Sequence, residues 1–427
     1  MNQLHNKISN SGYKQKKWKG RYTILLLLWS GWLLSFLDRM VMNVSLPFIG
    51  QDLGIDKTVQ GSIISAFFVG YALFQIPGGY LSDKFGPRKV MAFAIIWWSM
   101  FTLFTGLIYV LPLMLLTRFL FGAGEGCFPA SSWKTIATYF PAKERGRATA
   151  IQSSVNTLGP AISVIVAVAI IEWLGWRDVF IILSIPGFVL GLLIYKFIRN
   201  NPTENSLIDA NELQELEVSN SQDNNNTAVD NSSSSLINVL KMPILWKLSL
   251  IWFLFDITFW GFTTWLPSYL LEARGLSLSK TGVLAAIPFL FGALGTLVGG
   301  YFADKFEHKL KYVYGLTAFI SGIFLFFMFQ VDNLQAAIIF QCLSALFMFI
   351  AFAIFWGMLM HMIPPVIMGK ASSIVNFGGQ VAGVLSPFII GFLIDNANGG
   401  YNHAFIFMVI ALISSAILTF FIKKMNI

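Results

Sequence analysis

GGYLSDKFGPRK (residues 78–89) and GGYFADKFEHK (residues 299–309) are two versions of one polar, glycine-led segment, 221 residues apart in a chain of 427. Six of their first eight positions agree: two Gly, Tyr, Asp, Lys and Phe. A recurrence at about half the chain length points to an internal duplication. The surrounding composition says what kind of unit was duplicated. Hydrophobic residues make up 56% of the chain and charged residues 12%, against about 25% charged in an ordinary soluble protein. Apolar runs of about 20 residues recur throughout, each long enough to cross ~30 Å of hydrocarbon as a helix. The fold class is therefore an all-α membrane protein.

Twelve spans are expected, near 22–49, 58–80, 90–110, 112–139, 147–171, 178–198, 244–271, 279–302, 312–330, 335–358, 367–394 and 402–423. The Asn/Ser-rich, acidic stretch between the sixth and seventh has too few large apolar groups to build a core. It reads as a flexible linker with a short amphipathic helix near 213–218. The domain plan is a basic N-terminus (1–21), a six-helix bundle (22–198), a linker (199–243), a second six-helix bundle (244–423) and a short C-terminus (424–427). The first apolar run lacks a small-residue cleavage site and reads as a retained helix rather than a signal peptide.

Basic residues set the orientation. With both termini cytoplasmic, cytoplasmic segments collect 22 of the 29 Lys and Arg, outer loops collect four, and Arg39, Arg118 and Lys134 fall inside spans. Such a bias follows the positive-inside rule. The net charge of +8 thus expresses topology and calls for no nucleic-acid partner. Cys127 and Cys342 both lie in apolar runs, and neither a disulfide framework nor a metal-binding spacing emerges. No catalytic constellation, metal site or cofactor motif is expected.

Both copies of the opening segment fall in a loop after the second helix of a six-helix half. The pattern G-x-x-x-D-x-x-G-x-R-K of the first copy resembles the signature loop of the major facilitator superfamily. The fold this implies is two pseudo-symmetric six-helix bundles, working by alternating access. The resemblance gives Asp83 a gating contact with the opposite half, with Arg88 and, in the second copy, Asp304 as further gating positions. The bland alternative makes the segment a topology anchor through Lys84, Arg88 and Lys89. The second copy lacks the second Gly, which implies a weaker role.

Ionisable groups at bilayer depth cost roughly 2.5–3.5 kcal/mol each on insertion scales, so they need partners or a function. Asp38 and Arg39 interrupt WLLSFLDRMVMNVSLP, and Arg118 and Glu125 lie seven residues apart in RFLFGAGEGCFPA. Seven residues are two turns of one helical face, about 10 Å between Cα atoms. That is too far for ready direct pairing, so each should meet a group on the first span or a ligand. Two readings stand: a packing network that never titrates, and a network in which Asp38 and Glu125 bind protons while an arginine receives a substrate carboxylate.

FLDRMVMNVSLPFI, SAFFVGYALFQIPGG, RFLFGAGEG…FPA and YFPAKERGRA, with TTWLPSYL and NFGGQVAGVLSP in the second half, resemble the anion:cation symporter family within that superfamily. Its members include bacterial sugar-acid/proton symporters, sialin-type carriers and vesicular glutamate transporters. The resemblance implies proton coupling for Asp38 and Glu125. It also implies substrate or ion-pair roles for Arg39 and Arg118, and substrate contact for Tyr71. Asn156 stands where sugar-acid carriers often use Gln. The short first outer loop, near 50–57, favours a bacterial inner-membrane carrier over the vesicular relatives.

Asn376 and Gln380, four apart on the eleventh span, either bind substrate hydroxyls or join helices by hydrogen bonds. Asp256 in FLFDITFWGF either serves ion or substrate binding or makes a structural hydrogen bond. The expected function is proton-coupled symport of a small organic anion, a sugar acid such as an aldonate or hexuronate. The partners are that carboxylate, protons and membrane lipid, and the working unit is a monomer. The alternatives are a drug/proton antiporter, which the two arginines disfavour, and a non-transporting membrane sensor.

Overall fold

The computed structural model describes residues 18–226, 236–364 and 367–422. Among these, twelve helices are long and apolar enough to cross a membrane. The first six are α1 Gly20–Leu53, α2 Lys57–Phe85, α3 Pro87–Leu107, α4 Leu111–Tyr139, α5 Ala142–Leu174 and α6 Trp176–Phe197. The second six are α7 Pro243–Ala273, α8 Leu278–Lys305, α9 Glu307–Gln330, α10 Leu334–Met362, α11 Met368–Asn396 and α12 Asn402–Phe420. Each expected span has its helix, with ends displaced by a few residues. Helices are the element available to an open apolar chain here, because in hydrocarbon each backbone polar group must be satisfied within its own segment.

The packing repeats between the halves. In the first, α1 lies against α5, α2 against α4, and α3 against α6; in the second, α7 lies against α11, α8 against α10, and α9 against α12. The seams between the halves are α2 with α11 and α5 with α8. Exchanging the halves exchanges these two seams, which is the geometry a duplicated six-helix unit produces.

The linker is more ordered than its composition suggests. Residues Ala210–Asn226 form a helix, longer than the expected turn or two. Its first turns dock under α1. Glu212 accepts from the backbone N–H groups of Gly20 and Arg21, at 3.0 and 3.2 Å. Glu215 accepts from the side chains of Lys19 and Arg21. Glu212 thereby satisfies two backbone donors that the start of α1 would otherwise leave open. The expected C-terminal tail 424–427 and most of the N-terminal segment 1–21 lie outside the described residues.

Hydrogen bonds and ion pairs between the halves gather at the end opposite the linker. Lys57 pairs with Glu272 at 2.5 Å, and the Tyr401 hydroxyl donates to the same carboxylate at 2.7 Å. Asp395 receives the backbone N–H groups of Lys57 and Thr58, at 3.0 and 2.7 Å, so an anion from α11 caps the N-terminus of α2. Ser279 of α8 donates to Glu172 of α5 at 2.6 Å. Deeper in, Ser65 donates to the Val384 carbonyl at 2.6 Å and Asn43 to the Thr263 carbonyl at 3.2 Å. This end is closed.

Candidate functional site

Ser35, Asp38 and Arg39 follow one another at helical spacings of three and four, so they share a face of α1. That face meets α4 where α4 is broken. The helix stops at Gly126 and restarts at Phe128, with Pro129 in the first turn of the new segment. Proline cannot donate to the carbonyl four residues earlier, which belongs to Glu125. The break therefore coincides with the acidic residue. Close approach of α2 completes the arrangement: a Cβ at Gly126 would stand 2.5 Å from the Tyr71 carbonyl oxygen. Only glycine there lets α2 bring Tyr71 alongside.

Glu125 is 1% exposed. Its Oε1 accepts from Arg39 Nε at 2.7 Å, from a second Arg39 nitrogen and from the Ser35 hydroxyl. Its Oε2 is buried with no hydrogen-bond partner. Arg39 also lies against two rings of α2, its guanidinium carbon 4.9 Å from the Phe67 ring centroid and 4.8 Å from that of Tyr71. Arg118, 2% exposed, donates to the Thr105 hydroxyl and lies 4.6 Å over the Phe121 ring. Asp38, 1% exposed, sits beside Arg118 and Thr102 with its Oδ1 unpartnered. The four charges thus sort across α1 and α4: Arg39 binds Glu125, and Arg118 faces Asp38. Arg118 and Glu125 do not pair with each other, as their spacing predicts.

A small, largely apolar cavity lies between the halves beside this network. Arg39, Arg118, Asn43, Phe67 and Phe121 line it from the first half, and Trp260 and Thr264 of α7 from the second. Arg39 and Arg118 are among its lining residues, whereas Asp38 and Glu125 are absent from the lining. The arrangement puts the two arginines at the cavity wall and their compensating acids outside it.

The remaining expected residues lie elsewhere. Tyr71 is buried under Arg39, with Gln75 and Arg39 around its hydroxyl. Asn156 is half-buried on α5, two residues past an irregular turn at Ser154, and outside the cavity lining. Asn376 is half-buried and Gln380 buried on α11, and neither lines the cavity. Asp83 is ion-paired with Lys134 of its own half at 2.7 Å, rather than with the opposite half. Arg88 is tied to the end of α6: its Nε donates to the Tyr195 carbonyl at 2.8 Å, and its guanidinium carbon lies 4.2 Å from the Tyr195 ring centroid. Asp304 is exposed.

The sequence reading missed Ser35, Thr102 and Thr105. Their signal was present: Ser35 stands one turn before Asp38 and Arg39, and the two threonines are three apart in the apolar run of α3. Trp260 also lines the cavity.

The family model of the Major Facilitator Superfamily matches residues 28–387. The chain belongs to this superfamily. It is 31% identical to the probable sulfoacetate transporter of Cupriavidus necator, over 91% of this chain and 90% of that one. It is 30% identical to the probable galactarate/D-glucarate transporter of Escherichia coli K12, over 92% and 93% of the two chains. It is 27% identical to the hexuronate transporter of Bacillus subtilis, over 91% of each. Among solved structures, a bacterial homologue of the human lysosomal transporter Spinster, described as inward-facing and occupied, superposes with a TM-score of 0.80 at 19% identity, covering 94% of this chain and 96% of that one. The D-xylose–proton symporter gives 0.74 at 19% identity, covering 94% and 98%. These structures share the superfamily fold with a chain that is itself a multi-pass membrane protein.

Proposed function

We propose that this protein is a proton-coupled symporter of a sugar acid in the inner membrane of a bacterium, a monomer with both termini cytoplasmic. The observation that carries this reading is the sorting of charge: two arginines line the cavity and the two carboxylates that compensate them lie outside its lining. A substrate carboxylate entering the cavity competes with Glu125 for Arg39, because a guanidinium offers a planar fork that either anion can occupy. If Arg39 turns to the substrate, Glu125 is left buried and uncompensated, and it takes up a proton. Release of the substrate returns Arg39 to Glu125 and expels the proton. Binding of anion and proton is thereby linked without either group leaving the first half.

Alternating access follows from the seams. The lock made by Lys57, Glu272 and Asp395 holds the far end shut, so the cavity in this state serves the linker side. Asp83, Arg88 and Asp304 are the gating candidates for the opposite state, in which the linker ends of the halves close and Asp83 exchanges Lys134 for a partner across the interface. Asn156, Asn376 and Gln380 are the amides positioned to meet substrate hydroxyls in that state. Similarity to carriers of hexuronate and galactarate/D-glucarate supports the substrate class.

A second substrate reading has an observation of its own. Apart from the arginines, the polar groups in the cavity lining are Asn43, Thr264 and the indole N–H of Trp260, and the Asn43 amide already donates to the Thr263 carbonyl. Two cations in an otherwise apolar lining suit a short dianion with few hydroxyls, and similarity to the probable sulfoacetate transporter agrees.

The test is uptake into proteoliposomes, acidic outside, across labelled aldonates, hexuronates, aldarates and short dianions. Accumulation of a sugar acid that a protonophore abolishes is the expected result; accumulation of short dianions alone selects the second reading. Glu125→Gln keeps the shape of the side chain and should lose pH-driven accumulation while still folding. Full accumulation by that variant would remove Glu125 from the coupling.

A further inference from the structure

The mechanism above places every acid it uses in the first half. The second half holds a buried acid with a different environment. Asp256 of α7 is 5% exposed. It has no hydrogen bond or ion pair among the described residues. Its surroundings are defined on each side. From α11, Gly379 presents bare backbone: a Cβ there would collide with Asp256 Oδ2 and stand 2.6 Å from Trp252 Nε1. From α9, the Tyr314 hydroxyl is within electrostatic reach but is bonded to Ser415 of α12 at 2.7 Å. Ser415 spends its own proton on the Ile251 carbonyl, so Tyr314 is the donor in that pair and has none left for Asp256. From α10, Phe355 closes the site, its ring centroid 4.6 Å from that of Trp252. Tyr314 is the titratable group facing Asp256, and no positive charge is paired with it.

Three polar atoms of α7 and α11 are buried here without partners among the described residues: Trp252 Nε1 and Trp260 Nε1, one turn before and one turn after Asp256, and Gln380 Oε1, next to Gly379. An isolated carboxylate in an apolar, aromatic setting is unstable by several kcal/mol and neutralises itself instead. Protonated, the carboxyl can donate as well as accept and needs no cation beside it.

Position links this group to the transport cycle. Asp256 is one turn from Trp260, which lines the cavity and packs on Phe68 of α2 across the halves at 4.7 Å between centroids. The contact that seals the cavity thus sits directly above the acid. Parting the halves moves Trp260 off Phe68 and bares to water the face of α7 that meets the first half.

We propose that Asp256 is a second proton-binding site, in the C-terminal half, separate from the Asp38–Glu125 network and loaded once per cycle. It rests on the reading of the chain as a proton-coupled carrier for its role in transport, and on geometry alone for its proton. With two sites in two halves, the carrier moves one more proton per substrate than the first-half network provides. A dianionic substrate can then cross without net negative charge. A monoanion would draw ~2.3 kcal/mol per 100 mV from the membrane potential.

Two measurements test this and fail separately. The first is the infrared spectrum of reconstituted protein at neutral pH, read at the carbonyl stretch of protonated carboxylic acids. Asp256→Asn should remove intensity from that band, whereas Glu125→Gln should leave the Asp256 contribution in place. An unchanged band in Asp256→Asn overturns the assignment. If Asp256→Asn does not fold, Asp256→Glu should shift the band, and an unshifted band overturns it equally. The second is equilibrium accumulation of the transported anion at a gradient of one pH unit with the potential clamped at zero. Loss of one coupled proton lowers accumulation about tenfold. Undiminished accumulation in Asp256→Asn, or loss of a sodium dependence in place of a proton, overturns the coupling role. Absence of pH-driven accumulation in the unaltered protein defeats the symport reading itself, while the infrared result still decides where the proton is.

Discussion

The two halves are copies in architecture and opposites in chemistry. Each packs its helices in the same three pairs. Inside the first half, Asp38, Arg39, Arg118 and Glu125 form a network with Ser35, Thr102 and Thr105 at its edges. Inside the second, the corresponding space is filled by rings: Trp252 alone contacts Phe255, Phe352, Phe355 and Trp356, with centroids 4.6–5.4 Å away. One unpaired acid, Asp256, lies among them. The repeat supplies a rocking pair of bundles, while ion pairing is concentrated on one side of the axis. A substrate between the halves therefore meets charge from one wall and aromatic surface from the other.

The comparison breaks most severely if the charged network is cut. Arg39→Ala should leave Glu125 buried without its cation, a loss of about 3–5 kcal/mol, seen as a large fall in thermal midpoint in detergent together with loss of uptake. Glu125→Gln in the same background should recover part of the midpoint and none of the uptake. A smaller effect is expected at the far end, where the halves meet through partly exposed charges. Lys57→Ala should cost about 1 kcal/mol or less of closed-state stability. That shifts the balance toward opening at this end by roughly fivefold, measurable as faster labelling of a cysteine placed at the half-buried Ser62 of α2.

The smallest effect belongs to the linker clamp. Burial works to raise the Glu215 carboxyl, but hydrogen bonds from Arg21 and Lys19 outweigh it and hold it below the usual carboxylate range. A lowered acid stabilises docking above its unfolded value and ceases to do so as pH falls through the lowered one. Acidification into that range should release the linker helix, detected by proteolysis within 210–218, with uptake little changed. Glu215→Gln should make the cleavage rate insensitive to pH there.

Much of this was legible from local features. Span length and hydropathy depend on neighbouring residues, so the twelve helices could be counted without tertiary information. The four first-half charges announced themselves because each interrupts an apolar run. The Arg118–Glu125 spacing already ruled out their pairing. By contrast, Asp395, Glu272 and Glu172 drew no notice, since charges at helix ends are ordinary until another half closes on them. His361 and Glu307 are likewise far apart in sequence, yet the fold brings a Glu307 oxygen to 3.4 Å from the His361 Nδ1. The linker helix was underestimated because its stability comes from Arg21 and the start of α1, which lie almost 200 residues away in sequence.

The sequence by itself determined that this chain crosses the membrane twelve times as a duplicated unit, and which side chains must be accounted for at depth. Those properties follow from transfer free energies and helical rise, which act locally. Only the tertiary structure decided that Arg39 takes Glu125, that Arg118 faces Asp38, and that Asp256 has no partner. Pairing inside a bundle depends on how each helix is rotated and how closely it approaches. Here that was set by Gly126 against Tyr71, Gly379 against Asp256 and the break at Cys127, contacts between segments that no linear spacing encodes.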